Sequence, residues 1–370
     1  MKQKIVKSCI FILIACTLLP ACGYKDIDKR FFAVAIGIDL KDDEEKPYEI
    51  TLALAVPSTK IEPKSAITQI ETIQAGSIAD GLRQIKAKLD KELDLGHCKS
   101  IIIGEALANE DIRDVVYWIA RRRDIQNIVA IAIGVPTAAD IVKVQPDSDR
   151  FPGNTINFFF SRDTTQSSYT YRTTFTEVYK RVLEPGLDPI IPIISTEGDS
   201  TFTVNTVALL DKQKVKIVLT PRETQLLNQL SNKNNYSYIL GSYESDKITL
   251  AINNMKATFK INEFASEPAV SFKIKQKVRL EDLPKELTEE TNTNYSDIIS
   301  QLEQQYSEDC IALLEKIKQE KIDPYGFGLR YRAKHPISIE QYNEVWPPLY
   351  ETVKFEVNTK MDLKSTGLLK

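Results

Sequence analysis

Hydrophobic and polar positions form different patterns along this chain, and each pattern predicts a different kind of segment. The first is a leader. Lys2, Lys4 and Lys7 are followed by an apolar run from Cys9 to Leu19. That run is shorter than the ~20 apolar residues that span a bilayer. A basic start and a short apolar core predict a secretory signal rather than a structural helix. The run closes on Leu18-Leu19-Pro20-Ala21-Cys22, where a small residue before a cysteine suits the peptidase that frees lipid-modified cysteines. Cys22 is therefore the predicted lipid-attachment residue and the first mature one, with residues 1–21 removed. Two other readings stay open here: cleavage ahead of Cys16, and an ordinary signal leaving Cys22 as a free thiol.

After the leader the pattern becomes that of a folded body. Phe31 to Leu40 is an almost unbroken apolar run that predicts a buried strand, and Tyr48 to Val56 predicts its hairpin partner. Pro57 and Pro63 mark a loop. Ile78, Leu82, Ile85, Leu89 and Leu93 recur at helical spacing behind Ser77, an N-cap paired with Asp80, and Gly96 closes the helix. Ile101-Ile102-Ile103 predicts a short buried strand. A second helix is predicted from Asn109 to Arg123, with Glu110 and Asp111 at its positive end. Ile128 to Ile133 is another strand and Thr137 a further cap. Strands alternating with helices imply a partly parallel sheet with helices packed on it.

Beyond Ser161 the pattern weakens into Ser, Thr, Tyr and Gln up to Thr174, which reads equally as a surface loop or a polar edge strand. A short helix up to Glu184 and an extended segment through Ile190–Ile194 follow. The polar stretch Ser195 to Ser200 is the predicted boundary: an N-terminal α/β domain over 22–196 and a C-terminal domain over 197–370, the latter divisible into 197–285 and 286–370. In the second half, 202–210 and 215–219 predict a hairpin. Thr220-Pro221-Arg222-Glu223 is a capping box with proline in the first turn. Further strands are predicted at 236–240, 247–252 and 256–261. Val270 to Leu280 alternates strictly, with Lys273, Lys275, Lys277 and Arg279 on the wet face. That lysine row reads as a surface for lipid headgroups, or as a solvated face that discourages edge pairing, the second taken first. Asn294 to Glu320 is a long amphipathic helix, Glu340 to Trp346 a short one ahead of Pro347-Pro348, and Val353 to Leu363 a closing strand. The expected class is a multi-domain α+β or mixed α/β protein with mixed sheets.

Composition narrows the chemistry. The 370 residues carry 48 basic and 51 acidic side chains, and removing the three leader lysines leaves 45 against 51, a balance of −6. That argues against nucleic acid, which favours a basic surface. The two histidines, His97 and His335, have no metal-ligand spacing, which excludes a histidine-rich zinc site. Nucleophile–histidine catalysis would have to use one of them. Cys98 and Cys310 remain in the body and read as small buried apolar residues, with one disulfide between them as the alternative. Arg121-Arg122-Arg123 reads as a solvated helix end, because no glycine-rich phosphate loop accompanies it.

Several stretches together carry a family likeness. They are Cys22 with Asp26-Ile27-Asp28, then Ala35-Ile36-Gly37-Ile38-Asp39, Leu95-Gly96-His97, Ile101-Ile102-Ile103-Gly104-Glu105, Arg121 to Asp124 and Thr220 to Glu223. Asp323-Pro324 with Gly326-Phe327-Gly328, Trp346 and Thr366-Gly367 complete the series. In this order and spacing they resemble the Ger(x)C family, the lipoprotein C subunits of spore germinant receptors. The resemblance implies several α/β domains and a non-enzymatic subunit without cofactor or metal. It also implies a lipid anchor on the outer face of the inner spore membrane. The partners it implies are a transporter-like integral-membrane B subunit and an A subunit with soluble and membrane parts. Phe327 and Trp346 are candidate partner-contact aromatics, the alternative being that they plug the corner of the C-terminal core. Two other functions are weighed. A solute-binding lipoprotein of a transporter needs two similar lobes, and the halves look unlike. An envelope hydrolase needs a nucleophile elbow, a zinc helix or paired carboxylates, and the first two are absent from the sequence.

Overall fold

The computed structural model describes residue 3 and residues 26–56, 67–146, 152–160, 167–198, 200–233, 237–244, 246–262, 268–282 and 295–365. Cys22, the Pro57–Pro63 loop and Thr366-Gly367 lie outside the described residues. Among the described residues the chain forms two sheets of different design.

The first sheet has nine strands and grows around β1 (Arg30–Leu40). Most of β1 is buried because both of its faces are covered, which is why its sequence is apolar without alternation. It makes an antiparallel hairpin with β2 (Tyr48–Val56), with Ile36 opposite Leu52 and Leu40 opposite Tyr48. On its other side it pairs in parallel with β4 (Glu92–Asp94) and β5 (Ser100–Gly104). β6 (Ala130–Val135) and β7 (Ile190–Glu197) continue the parallel run. β3 (Ile67–Ala75) closes one edge. At the other edge β8 (Thr201–Leu210) and β9 (Val215–Leu219) form the expected hairpin, antiparallel to β7. This hairpin lies beyond residue 197 yet extends the first sheet, because β7 leaves its outer edge free for β8.

Helices cover both faces. α1 (Ile78–Lys88), α2 (Glu105–Glu110), α3 (Arg113–Ala120) and α6 (Phe175–Leu183) supply one core with Leu82, Ile85, Val115, Ile119 and Val178. α4 (Ala138–Lys143) and α5 (Pro152–Phe159) supply the opposite one with Ile141, Val142 and Ile156. Both caps form: Ser77 Oγ accepts from the Asp80 amide and Thr137 Oγ1 from the Asp140 amide, while the reciprocal Asp80 bond of the expected capping box is not among the bonds of the described residues.

Three differences from the sequence reading have local causes. α1 stops at Lys88, and Leu93 is buried in β4 instead, because the β1 edge offers it backbone partners. The single helix expected over 109–123 is two, broken at Asp111, whose carboxylate takes the Arg113 amide at 2.8 Å. The arginines thus lie past the helix end, where Arg122 pairs with Asp124. β3 went unread because Ile67, Ile70 and Ile73 recur every third residue, whereas a half-buried strand alternates by two.

The second sheet is ordered β10 (Ser237–Tyr243), β11 (Asp246–Asn262), β12 (Ala269–Asp282) and β13 (Lys354–Ser365). The two strands expected over 247–261 are one, carrying an irregularity between Ile252 and Asn254. β13 returns parallel to β12, which requires a long crossover. α8 (Tyr295–Gln319), α9 (Phe327–Lys334) and α10 (Ile339–Thr352) provide it. α8 buries Ile298, Leu302, Tyr306, Cys310, Leu313, Leu314 and Ile317, the face that the sequence pattern marked. α10 runs on through Pro347 and Pro348 because Trp346 and Tyr350 are buried on its inner side and hold the helix past them. α7 (Pro221–Leu230), with the expected capping box, carries the chain from one sheet to the other. Its Leu226, Leu227 and Leu230 enter the second core. The two sheets differ in strand number and in topology, so the halves are not the matched lobes that a solute-binding reading needs. Among the described residues no helix is long and apolar enough to cross a membrane.

Candidate functional site at the joint between the sheets

The motif Asp323-Pro324-Tyr325-Gly326-Phe327-Gly328 spans the link from α8 and the first residues of α9 and forms the centre of a polar joint. Asp323 is buried, and its carboxylate accepts from the backbone N–H groups of Gly326 (2.8 Å), Phe327 (3.0 Å) and Gly328 (2.7 Å). These are the donors that the start of α9 leaves unpaired, and a carboxylate is their natural acceptor. The Asp323 backbone meets the loop before β7 on both sides. Its N–H donates to Asp188 Oδ2 at 2.6 Å, and its carbonyl accepts from the Asp188 N–H at 2.8 Å.

Cations complete the joint from the first sheet. Lys212, in the β8–β9 turn, pairs with Asp188 Oδ1 at 2.9 Å. The same ammonium donates to the carbonyls of Arg181, Glu184 and Leu187 at 2.7–2.8 Å. Arg181 Nη1 donates to the carbonyls of Asp188 (2.8 Å) and Pro324 (2.9 Å), so one guanidinium spans both halves. Arg332 on α9 reaches back to Glu184 at 2.6 Å. Gly186 adopts φ +81°, and a Cβ there would stand 2.5 Å from the Leu329 nitrogen. The backbones approach so closely that only glycine fits.

Burial, with Asp188 close by, pushes the Asp323 carboxyl up to about 7 against the three N–H bonds that favour its charged form. The folded state therefore binds a proton that the unfolded chain releases near pH ~4. This contribution to stability is fully present below pH ~4 and is lost as pH rises toward pH ~7, with a slope of at most about 1.4 kcal/mol per pH unit. Denaturant titrations of the wild type from pH ~4 to ~7 are expected to show this decline, and Asp323→Ala to lack it.

Neither Phe327 nor Trp346 presents a surface to a partner. Phe327 is 0 % and Trp346 2 % exposed, which corrects the expectation that they mark a contact patch. Phe327 packs edge-on against Phe259, with centroids 4.9 Å apart, and beside Tyr325 and Phe355. Trp346 lies on Tyr331 and Tyr350. Both are too large and apolar to remain in water at the edge of a sheet, and they fill the corner of the second core.

Other chemistry-bearing residues are also structural. Asp39, at the end of β1, takes the amides of Ala138 (2.7 Å) and Ala139 (2.8 Å) at the start of α4. Gly104 leaves room for that carboxylate, since a Cβ would overlap Asp39 Oδ1. The glycine and aspartate of the two N-terminal motifs thus form one interlocking contact. Cys98 and Cys310 are both free and buried in different cores, and burial pushes each thiol up to about 12, far from a reactive thiolate. His97 is exposed and rests against Phe32 and Asp94. Among the described residues no group of three or more His, Cys, Asp or Glu could hold a metal ion. A cavity of about 240 Å³ bordered by Cys98, Gln126, Asn157 and Thr173 lies within the first half, not between the halves.

Residues 23–196 match the family described as "Spore germination protein N-terminal domain", and residues 205–367 match "Spore germination B3/ GerAC like, C-terminal". Together these cover nearly the whole body. The chain belongs to the GerAC-like family of spore germination proteins. It is a germinant-receptor C subunit, a non-enzymatic component. Spore germination protein KC of Bacillus subtilis (strain 168) is 22% identical over 390 residues, covering 97% of this chain and 95% of that protein. YfkR of the same organism, named for spore germination, is 20% identical over 382 residues, covering 99% and 98%. The crystal structure of the GerBC protein superposes with a TM-score of 0.59 at 16% identity, covering 89% of this chain and 96% of that one. That likeness establishes a shared fold. The joint described above ties the two dissimilar sheets together through Asp188, Asp323, Arg181 and Lys212.

Proposed function

We propose that this chain is the lipid-tethered C subunit of a germinant receptor, held on the outer face of the inner spore membrane. There it assembles with an integral-membrane B subunit and an A subunit having soluble and membrane parts. The observation that carries this reading is the family match to residues 23–196, which begins one position after Cys22. The match thus starts directly behind the cysteine that the leader pattern marks. The tether from Cys22 to η-helical Ile27–Lys29 and β1 is only a few residues long. Two or more acyl chains hold a protein firmly on a membrane. Confinement there raises its effective concentration beside membrane-embedded partners, so modest contacts suffice for assembly.

Mass spectrometry of the mature amino terminus is expected to find a diacylglyceryl group on Cys22. Cys22→Ala is expected to move the protein from the membrane to the soluble fraction of spore extracts and to weaken the response to nutrients. Co-purification from detergent-solubilised spore membranes should recover A and B subunits with the wild type. An unacylated start at another residue, or normal germination with the Cys22→Ala protein still membrane-bound, would overturn the reading.

A further inference from the structure

The outer face of the second sheet concentrates positive charge on a chain whose net charge is −3. Register places Lys256 on β11, Lys275 on β12 and Lys360 on β13 directly opposite one another across three strands. Lys260, Lys273 and Lys277 flank that row on the same face, and all six side chains are exposed. None of the six forms an ion pair within the described residues. The carboxylates on this face are Glu356 and Asp362 on β13 and Glu281 at the end of β12: Glu356 accepts from Ser271, Asp362 pairs with Lys364 at 2.5 Å, and Glu281 lies 3.8 Å from Arg279. Like charges directly opposite in a sheet are destabilising. The array therefore carries a cost in the free protein that an anionic surface would relieve.

We propose that this face docks on an anionic phospholipid surface. The side-chain chemistry selects a membrane over a protein partner. Lysine is depleted in protein interfaces, which are built around aromatic and arginine anchors. The residues interspersed with these lysines are Asn254, Thr258, Ser271 and Asn358, with Asp362 opposite Lys277 and Glu356 opposite Ser271, and there is no ring among them. Lysine is a flexible point charge that suits mobile headgroups, whereas arginine supplies the rigid fork for fixed carboxylates. The patch is an extended, nearly planar area about 20 Å along the strands and ~10 Å across them. It has no apolar residue that would insert, so binding is electrostatic and salt-sensitive. The proposal is independent of acylation, and the test is made without it.

The experiment uses the full chain carrying Cys22→Ala and vesicles of phosphatidylcholine with or without about one-third phosphatidylglycerol. Flotation is expected to show binding to the anionic vesicles that falls steeply when salt rises from ~0.1 M to ~0.5 M. Lys256→Gln/Lys275→Gln/Lys360→Gln is expected to weaken it about fivefold per lysine, on the order of a hundredfold in all. The leader is identical in both proteins, so its own lysines cancel. The triple variant should melt no lower than its parent, since it removes repulsion without touching the core. Lys86→Gln/Lys88→Gln/Lys143→Gln removes equal charge from exposed helix positions of the first half and is expected to keep the binding. Binding that survives in the sheet variant, or falls equally in the helix variant, overturns the proposal. So does loss of vesicle binding in the presence of millimolar polyglutamate but not of added salt, which would assign the face to an acidic polypeptide.

Discussion

Asp323→Ala is expected to destabilise the protein by about 3–5 kcal/mol, because it strands three buried backbone donors at once. Each unsatisfied buried N–H costs on the order of 1–3 kcal/mol, and the N–H groups of Gly326, Phe327 and Gly328 all converge on this one carboxylate. The loss is partly offset where water enters the vacated space, which keeps the sum below three full penalties. The melting midpoint should fall on the order of 10 °C. Because the loop aims Phe327 into the second core, the near-ultraviolet signal of the surrounding aromatics should change in the native state as well. A variant with unchanged stability and unchanged aromatic spectra would show that Asp323 does not hold the loop.

Gly186→Ala is expected to open the joint rather than unfold either half. The added methyl meets two penalties: a left-handed backbone that costs a non-glycine residue ~1–2 kcal/mol, and a clash with the Leu329 nitrogen, the Gly328 carbonyl carbon and the Tyr342 hydroxyl. Two of those three neighbours are backbone atoms that cannot rotate away. The loop must back off, and with it go the Gly186 carbonyl–Leu329 N–H bond at 2.9 Å and the Arg332–Glu184 pair. The expected result is cleavage by a sequence-tolerant protease between residues 184 and 189, at a rate at least ~10-fold above wild type, with both cores still protected. Equal protection of wild type and variant in that segment would show that the joint tolerates the methyl and that its closeness is not needed.

Much of the local structure was legible from residue order. The capping box at Thr220–Glu223 is a three-residue pattern whose two reciprocal bonds form in the structure. The amphipathic helix α8 was read from its sequence, since a 3.6-residue period needs no knowledge of what covers it. β1, the flanking hairpins and the partly parallel sheet followed from apolar runs separated by helices. Errors arose where neighbours in space overruled local pattern. Leu93 continues a helical spacing yet joins β4, and β3 is held at the sheet edge by β2 despite its three-residue period. Pro347 and Pro348, read as a stop, lie inside α10 because Trp346 and Tyr350 anchor it from the core.

The candidate site was legible only as a motif without a role. Asp323-Pro324 and Gly326-Phe327-Gly328 stood out, but their meaning depends on Asp188, 135 residues earlier, on Arg181 in the last turn of α6 and on Lys212 in the β8–β9 turn. Phe327 and Trp346 drew attention as aromatics near a turn, and only their burial shows them to be core. Likewise the alternation of β12 revealed one row of lysines, while the coincidence of Lys256, Lys275 and Lys360 needed the register of three strands.

By itself, the amino-acid order determined most of the segments that coil or extend and where most helices begin. These depend on contacts within a few residues, where period and capping chemistry leave one good solution. Only the tertiary structure decided that β13 returns parallel to β12, that a hairpin beyond residue 197 completes the first sheet, and that Asp323 meets Arg181, Asp188 and Lys212, far from it in the chain, in one joint. Those pairings join groups separated by tens to hundreds of residues. Their identity is set by how whole apolar faces are buried together, which no local pattern encodes.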